Sequence, residues 1–498
     1  VKTRLLPVVV LAVIVAACTG SVATTTTPTT VPPSVITTEP DICPETRCVR
    51  LRIDPDARWS DGEPVTADDF VHTLDMARAA SSADPAYRAV SRIDVIADDE
   101  VLIALSDVSA PFQRLFEVVL PAHDDRVTSG PLDHDLRGEG FDLETVDVDG
   151  VRGVIQAFRR GEADLGWLPD PPGWAIEELE ALEDVTVTLV PGPDWEMITF
   201  NQQSPLLAEA WLRQAVALAI DRETLADLTV RTVDPPASLL DTTMWVDRPG
   251  MGDPYPHAHD PDAAVRALLD NGCVREGDGP FVCDDHPLRF TWMTTAGDVW
   301  RETMVERMAS DLADLGIEVD VRLMYPADIY RRVNLAGDGW DIVSFAWTAQ
   351  VDPTAAAELY RCDGGLNFAR HCPDGVDETL ATAMGTIDDD ERRLLLEEVD
   401  RAFVDPAAII PLFARPVAWV FKGEGADPSP FDGPFDVAAR LGRDVRLALV
   451  DQPGDPATLG ALDPVESSLR RAHYRGAFRA LPGGGYAPDL VVDFEVID

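Results

Sequence analysis

Positive charge is scarce in this chain: 41 Lys and Arg stand against 88 Asp and Glu in 498 residues. So acidic a surface repels phosphate, which excludes nucleic acid as a partner. After the first twenty residues no apolar run reaches the ~20 residues that a membrane-spanning helix needs. The chain has no Gly-x-Ser-x-Gly nucleophile elbow and no His-Glu-x-x-His helix. It also has no Gly-rich phosphate loop behind a strand, which argues against nucleotide binding. Its seven cysteines never gather with histidines in the tight sets of four that a zinc site requires. His257 and His259, beside Asp253 and Asp260, lie in a Pro- and Gly-rich loop that reads as solvent-exposed. The expectation is a protein with no catalytic residue, no resident metal and no cofactor. The acidic pairs Asp68-Asp69 and Asp124-Asp125 and the run Asp388-Asp389-Asp390-Glu391 read as solvated surface.

What is present begins at the N-terminus. Lys2 and Arg4 precede the apolar run Leu5 to Val15, the layout of a secretory leader. The run ends in Val15-Ala16-Ala17-Cys18, which resembles the lipobox at which bacterial lipoproteins are cleaved and acylated. Residues 1–17 are then a signal peptide and Cys18 a lipidated anchor; the alternative is an ordinary leader with an incidental cysteine. Thr19 to Pro40, rich in Thr, Pro, Val and Ser, cannot form a core and reads as an extended tether over residues 18–40. This places the body outside the cytoplasm, held on the outer face of the cytoplasmic membrane at the cell surface or in a periplasm. There the close pairs Cys43/Cys48, Cys273/Cys283 and Cys362/Cys372 read as three local disulfides.

The body alternates short strands with amphipathic helices. Val49, Leu51 and Ile53 alternate at period two, and Thr66 caps a helix to Ala80. Leu212 to Leu228 has helical spacing, and Pro261 to Leu269 starts behind Asp260. Glu302 to Leu315 ends at Gly316, and Ile317 to Val321 then alternates as a strand, the punctuation of a crossover in a partly parallel sheet.

The order of several blocks resembles the bacterial extracellular solute-binding proteins of the peptide, oligopeptide and nickel group, family 5, which serve ATP-binding cassette importers. The blocks are Arg58-Trp59-Ser60-Asp61-Gly62-Glu63-Pro64-Val65-Thr66-Ala67-Asp68-Asp69-Phe70, then Gly161-Glu162-Ala163-Asp164, Phe200-Asn201 and Arg213 to Arg222. Leu315-Gly316-Ile317, Trp340-Asp341-Ile342 with Trp347, and Asn367-Phe368 before Cys372 complete the series. The resemblance implies an α/β, two-lobed fold of the periplasmic-binding-protein type II kind, with hinge strands and a ligand cleft between the lobes. It implies capture of a small solute, oligopeptide-like or another polar organic compound, by a monomer that presents its closed form to importer permease subunits. The alternative is a non-transporting surface scaffold or sensor lipoprotein that keeps the fold.

Three departures from the family stand out. The Leu-Asp-Pro start and strand expected about 40 residues before the Trp-Ser-Asp-Gly signature are missing there. Residues 458–498 resemble that start, with Ala461-Leu462-Asp463-Pro464 and then Gly483 to Val496. The fold therefore reads as circularly permuted, with Leu490, Val492, Phe494 and Val496 forming a strand beside Val49, Leu51 and Ile53; an unrelated tail is the alternative. The expected division is 41–235 for a first part of lobe 1, trimmed after Pro131, 236–415 for lobe 2 and 416–498 for a return to lobe 1. Finally, peptide-binding relatives carry an Asp three positions after a Trp to hold an ammonium group. Here Trp347-Thr348-Ala349-Gln350 places an amide there, with Asp352 two residues on as a substitute. Trp347, Thr348, Gln350 and Asp352 are thus candidate ligand residues, with Asn367, Asn201, Trp292 and Trp195 behind them. For Trp347, cleft wall and core both stay open. Trp59 reads as a packing residue.

Overall fold

The computed structural model describes residues 43, 47–80, 85–106, 112–230, 256–336, 339–348, 357–428, 432–450, 464–480 and 486–497. The leader, Cys18, the tether, Gln350, Asp352 and residues 458–463 lie outside them. Along the chain the first strands are β1 (Arg47–Ile53), β2 (Val90–Ala97), β3 (Glu100–Leu105), β4 (Arg137–Gly138), β5 (Phe141–Asp147), β6 (Leu165–Pro169), β7 (Val185–Phe200), β8 (Val274–Arg275) and β9 (Phe281–Cys283). Then follow β10 (His286–Pro287), β11 (Arg289–Thr295), β12 (Glu318–Met324), β13 (Ile342–Thr348), β14 (Ile409–Lys422), β15 (Val445–Leu449), β16 (Phe478–Ala480), β17 (Tyr486–Pro488) and β18 (Val491–Ile497).

The long strands β7 and β14 organise the body, pairing antiparallel from Ile409↔Thr199 to Lys422↔Val185. β13 joins the C-terminal half of β7, and β11 and β12 continue from it in parallel. β6 joins the C-terminal half of β14, and β15 and β5 continue from it in parallel. The outcome is one nine-stranded sheet, β12-β11-β13-β7-β14-β6-β15-β5-β4, whose two parallel wings share only β7 and β14. Each wing is a lobe with its own apolar core. One gathers Phe290, Trp292, Met304 and Ile342; the other gathers Val154, Phe158, Leu168 and Ala418 on one face and Trp167, Trp419, Phe435 and Leu447 on the other. The mixed α/β, two-lobed architecture matches the sequence expectation. The boundary at 235 does not fit these cores: Ile198 to Ala226 already pack with Phe290 and Ile342. The crossing occurs inside β7, because that apolar strand runs on from one lobe into the next.

The crossover between β11 and β12 is the helix Val299–Asp314, one residue past its Asp298 cap and ended by Gly316 at φ +87°. The helical stretch Leu212 to Leu228 is broken into Ala210–Ala219 and Arg222–Val230. Ile220 is extended, and the Asp221 carboxylate caps the next turn by accepting from the Thr224 amide at 2.9 Å and its hydroxyl at 2.7 Å. The acidic run at 388 opens a helix, with Asp388 accepting from the Glu391 amide, where carboxylates favour the helix N-terminus. All three expected disulfides are present.

A second sheet, β18-β1-β3-β2, covers a core of Val49, Leu51, Phe70, Leu74 and Phe116. The signature Trp59 to Phe70 is a structural lock on this core. The wholly buried Asp69 carboxylate accepts from the Thr66 amide (2.8 Å), the Trp59 indole (3.2 Å) and the Ala122 amide (2.7 Å). Trp59 is thus buried packing, as the sequence suggests. Asp69→Ala takes the acceptor from one buried and two part-buried donors at once, so a urea melt of this variant is expected to show a loss of ~2–4 kcal/mol.

β18 lies antiparallel to β1, with Val49 opposite Val496 and Leu51 opposite Phe494. The strict alternation expected over Leu490 to Val496 does not hold. The register shifts between Arg52 and Ile53, so Ile53 faces Val491, and Leu490 and Val491 are buried while Val492 is 53% exposed. Phe478 and Phe494 meet Phe112 with ring centroids 5.6 and 5.4 Å away, so the C-terminal segment completes this core.

Candidate functional site

The two strands that link the lobes are interrupted at one place. The pairing of β14 with β7 slips between Pro411 and Phe413 and again between Ala414 and Pro416. Opposite lie Pro191, Gly192 and Pro193, and proline cannot donate to a ladder. A Cβ on Gly192 would stand 2.6 Å from the Arg415 carbonyl oxygen, so only glycine admits this approach. A broken ladder between two rigid wings makes this the point at which the lobes can bend.

The strand registers aim both wings at that point. β6 ends with Pro169 opposite Val417, two residues beyond Arg415, and β13 ends with Thr348 opposite Asp194. Because β11 and β12 run parallel to β13, and β15 and β5 parallel to β6, the C-terminal ends of both parallel sets converge on the hinge. Open α/β sheets bind ligands beyond such ends.

A charged cluster fills the convergence. Arg415 of β14 donates through Nε to Glu196 (2.7 Å) and through Nη1 to Asp170, just past β6 (2.8 Å); its Nη2 donates to Asp298, the cap of the helix after β11. Arg301 of that helix holds Glu196 through Nε (3.0 Å) and Nη2 (2.6 Å) and donates to the Thr295 hydroxyl. Thr348 donates its hydroxyl to Asp194 at 2.6 Å. One guanidinium thus ties a carboxylate of each lobe to the hinge strand.

Glu196 and Arg301 are buried, Arg415 and Asp298 nearly so, and Asp170 and Asp194 are half-buried. Burial would raise the Glu196 carboxyl, but the two guanidiniums win and hold it below its usual range. The same contest holds Asp298 low through Arg415 and Arg301. Asp170 is pushed up to about 6, chiefly by burial, because Arg415 only partly offsets it and the charges of Asp194 and Asp298 add to the rise. Burial also raises Asp194, against the pull of Thr348 and Arg415.

The residues expected from sequence fall into three groups. Thr348 is in the cluster. Trp347 pairs with Trp195 across β13 and β7 on the opposite face of the sheet, half-buried against Phe345 and Phe368 at 5.1 and 5.9 Å. Gln350 and Asp352 lie outside the described residues, and the remaining four are spent on internal structure. Trp292 is fully buried and donates to the Ser344 hydroxyl, and Trp195 lies in a core. Asn201 donates to the Trp340 carbonyl, and Asn367 to those of Arg361 and His371. Those four candidates are therefore corrected to packing and turn roles. His257, expected to be exposed, is buried against the carbonyls of Val404 and Asp405, while His259 is exposed. Missed entirely were Asp170, Asp194, Glu196, Asp298, Arg301 and Arg415. Glu196 within Trp195–Phe200 and Arg415 within Ile409–Phe421 carried a signal, since a lone charge inside an apolar strand needs a buried partner.

Comparison with known proteins follows the same lines. The family model described as "Bacterial extracellular solute-binding proteins, family 5 Middle" matches residues 30–141 and 142–367. Oligopeptide-binding protein OppA of Mycobacterium bovis is 22% identical over 431 residues, covering 74% of this chain and 69% of that protein. In fold, the chain is similar to the periplasmic EDTA-binding protein EppA, with a TM-score of 0.60 at 20% identity over 78% of this chain and 82% of that one. It is also similar to the oligopeptide-binding protein AppA of Bacillus subtilis in complex with a nonapeptide, with a TM-score of 0.53 at 16% identity over 77% and 84%.

Proposed function

We infer the work of this chain from its kinship: it belongs to the bacterial extracellular solute-binding proteins of family 5. It captures a small solute outside the cytoplasm in the cleft between its lobes and delivers it to an ATP-binding cassette importer. The observation that carries this reading is Arg415, which sits on a hinge strand and joins Asp170 of one lobe to Asp298 of the other where both sets of strand ends meet. Ligand contacts at such a place act on both lobes and can tip an open–closed equilibrium of a few kcal/mol. The cargo is oligopeptide-like or another small polar organic solute, a class supported by relatives named for oligopeptides and for di- and tripeptides. The closed monomer docks on permease subunits. A lipid on Cys18 holds it to the outer face of the cytoplasmic membrane.

The chain order is a circular permutation of the family's. In support, β18 runs antiparallel beside β1 and brings Ile497 opposite Cys48, a span that one hairpin turn would close.

The test is mass spectrometry of small molecules released on denaturing the gently purified full chain, with melting scans on adding them back. A released molecule that raises the melting temperature when added back is expected, the folded state gaining about 2.7 kcal/mol at a hundredfold excess over Kd. No released molecule, and no shift with peptides, sugars or nickel, would remove the capture reading.

A further inference from the structure

We propose that His134, His473 and Tyr474 form a transition-metal site, of the kind that takes Zn2+, at the joint between the second sheet and the lobe built on β5 and β6. The site stands apart from the hinge: His134 lies three residues ahead of β4, the outermost strand on its side of the nine-stranded sheet. It is independent of the solute-capture reading, since an ion there is a staple between two cores and not cargo.

The backbone builds a fixed frame for these rings. After Val127, which packs in the core of the second sheet, the chain closes the end of the helix Pro464–His473. The Ser129 and Gly130 amides donate to the His473 carbonyl at 3.0 and 2.8 Å, and the Leu132 amide donates to that of Ala472 at 2.9 Å. A Cβ on Gly130 would overlap the Ala472 carbonyl, so only glycine admits this approach. The Asp133 carboxylate then accepts from the amides of Asp135 and Arg137 at 2.9 and 2.8 Å, a turn that sets His134 beside the helix end. Tyr474 packs in the core of the second sheet, and Leu132 and Ala472 pack in that of the lobe.

Two observations point to an ion between the rings. His473 is 3% exposed, and neither of its ring nitrogens has a hydrogen-bond partner among the described residues. An imidazole so placed leaves a donor and an acceptor unsatisfied, a cost that a bound group offsets. The other observation is spacing. Tyr474 Oη and His134 Nε2 are 3.4 Å apart, long for a hydrogen bond from a hydroxyl. A tetrahedral ion with bonds of about 2.0–2.1 Å separates two donor atoms by about 3.3–3.4 Å, two imidazole centroids by about 5 Å and an imidazole from a phenol centroid by about 6 Å. Here the His134 and His473 centroids are 4.9 Å apart, and Tyr474 lies 6.0 Å from the first and 6.1 Å from the second. Two imidazoles and a phenolate oxygen suit zinc or copper and not magnesium or calcium, and the exposed His134 leaves a fourth position to water. On binding, the ion replaces the phenol's proton, which passes to solvent. Among the described residues no three His, Cys, Asp or Glu gather to hold a metal; the third ligand here is a phenol 340 residues along the chain from His134, so no sequence motif announces the set.

The test uses the full chain in detergent, stripped of metal on a chelating resin and titrated with ZnCl2 or, in parallel, MgCl2. Calorimetry is expected to show one tight zinc ion per chain, and melting scans a rise of about 3 °C at a hundredfold excess over Kd, with magnesium giving neither. H134A, at an exposed position, should cut zinc affinity by at least about a hundredfold. Cu2+ in place of zinc should give a phenolate-to-copper absorption band that Y474F abolishes. Zinc binding at full affinity in H134A would overturn the assignment, and zinc binding without the copper band would remove Tyr474 and overturn the three-ligand site. No zinc binding at all would mean that water fills the gap at His473. The wild-type titration needs no variant, so a misfolded Y474F would not blur the result.

Discussion

Arg415→Met should lower stability by ~3–5 kcal/mol at pH 7.5, the largest loss expected from any single substitution in the cleft, because it leaves buried carboxylates without their counter-charge. Glu196 would keep only Arg301, while Asp170 and Asp298 would each lose a guanidinium donor and still repel one another. The deficit should depend on pH with a definite sign. In the native protein Glu196 and Asp298 lie below their usual range, so they contribute stability above about pH 4 that is lost on acidification. Without Arg415 all three rise, since its guanidinium pulls Glu196, Asp298 and Asp170 down. A carboxyl raised in the folded state takes up protons that the unfolded chain does not bind between about pH 4 and its folded value, so its folded form gains as pH falls. The gap between variant and wild type should therefore narrow from pH 7.5 to pH 5. Arg415→Lys, which keeps the charge and loses the three-way fork, should fall between the two. Urea midpoints at the two pH values measure all of this; a deficit that widens on acidification would refute the role given to Arg415.

Much of the fold was legible in the sequence because its carriers are local. The Thr66 cap, the Gly316 stop and the period-two strands each follow from a few neighbouring residues, and short cysteine spacings allow few pairings. The cluster at the hinge was not legible for the converse reason. Asp170, Glu196, Asp298 and Arg415 come from four separate elements, and only the strand registers bring them together. The aromatic candidates failed differently. Trp292 and Trp195 are as apolar as any cleft wall, and nothing local distinguishes a tryptophan at a strand's middle from one at its end. The bulge at Arg52/Ile53 had the same origin: one inserted register shift reversed Val491 and Val492, which alternation alone cannot foresee.

Deleting residues 486–498 should unfold the second sheet outright. The cut removes the buried Leu490 and Val491 and the half-buried Phe494 and Val496, and it turns β1, with its buried Cys48, Val49 and Leu51, into a bare edge. At ~1.5–3 kcal/mol for each fully buried side chain, plus the partner surface newly exposed, the loss is comparable with the ~5–15 kcal/mol that hold a domain folded. Circular dichroism and limited proteolysis should both report a body that has lost the region from β1 to β3. If the segment acts through its place beside β1 and not through its place in the chain, it can be moved. A chain running 443–498 and then directly 43–442 puts β18 ahead of β1 with a short turn between them, and cuts at the exposed stretch Gly442–Asp444. This reordered chain should fold with a melting temperature within a few degrees of the original, since the contacts are unchanged and only loop closure differs, by well under a kcal/mol or so. A deletion that melts like the intact protein would mean the tail is not part of the core. A reordered chain that fails to fold would mean that β18 and β1 are neighbours for a reason other than permutation.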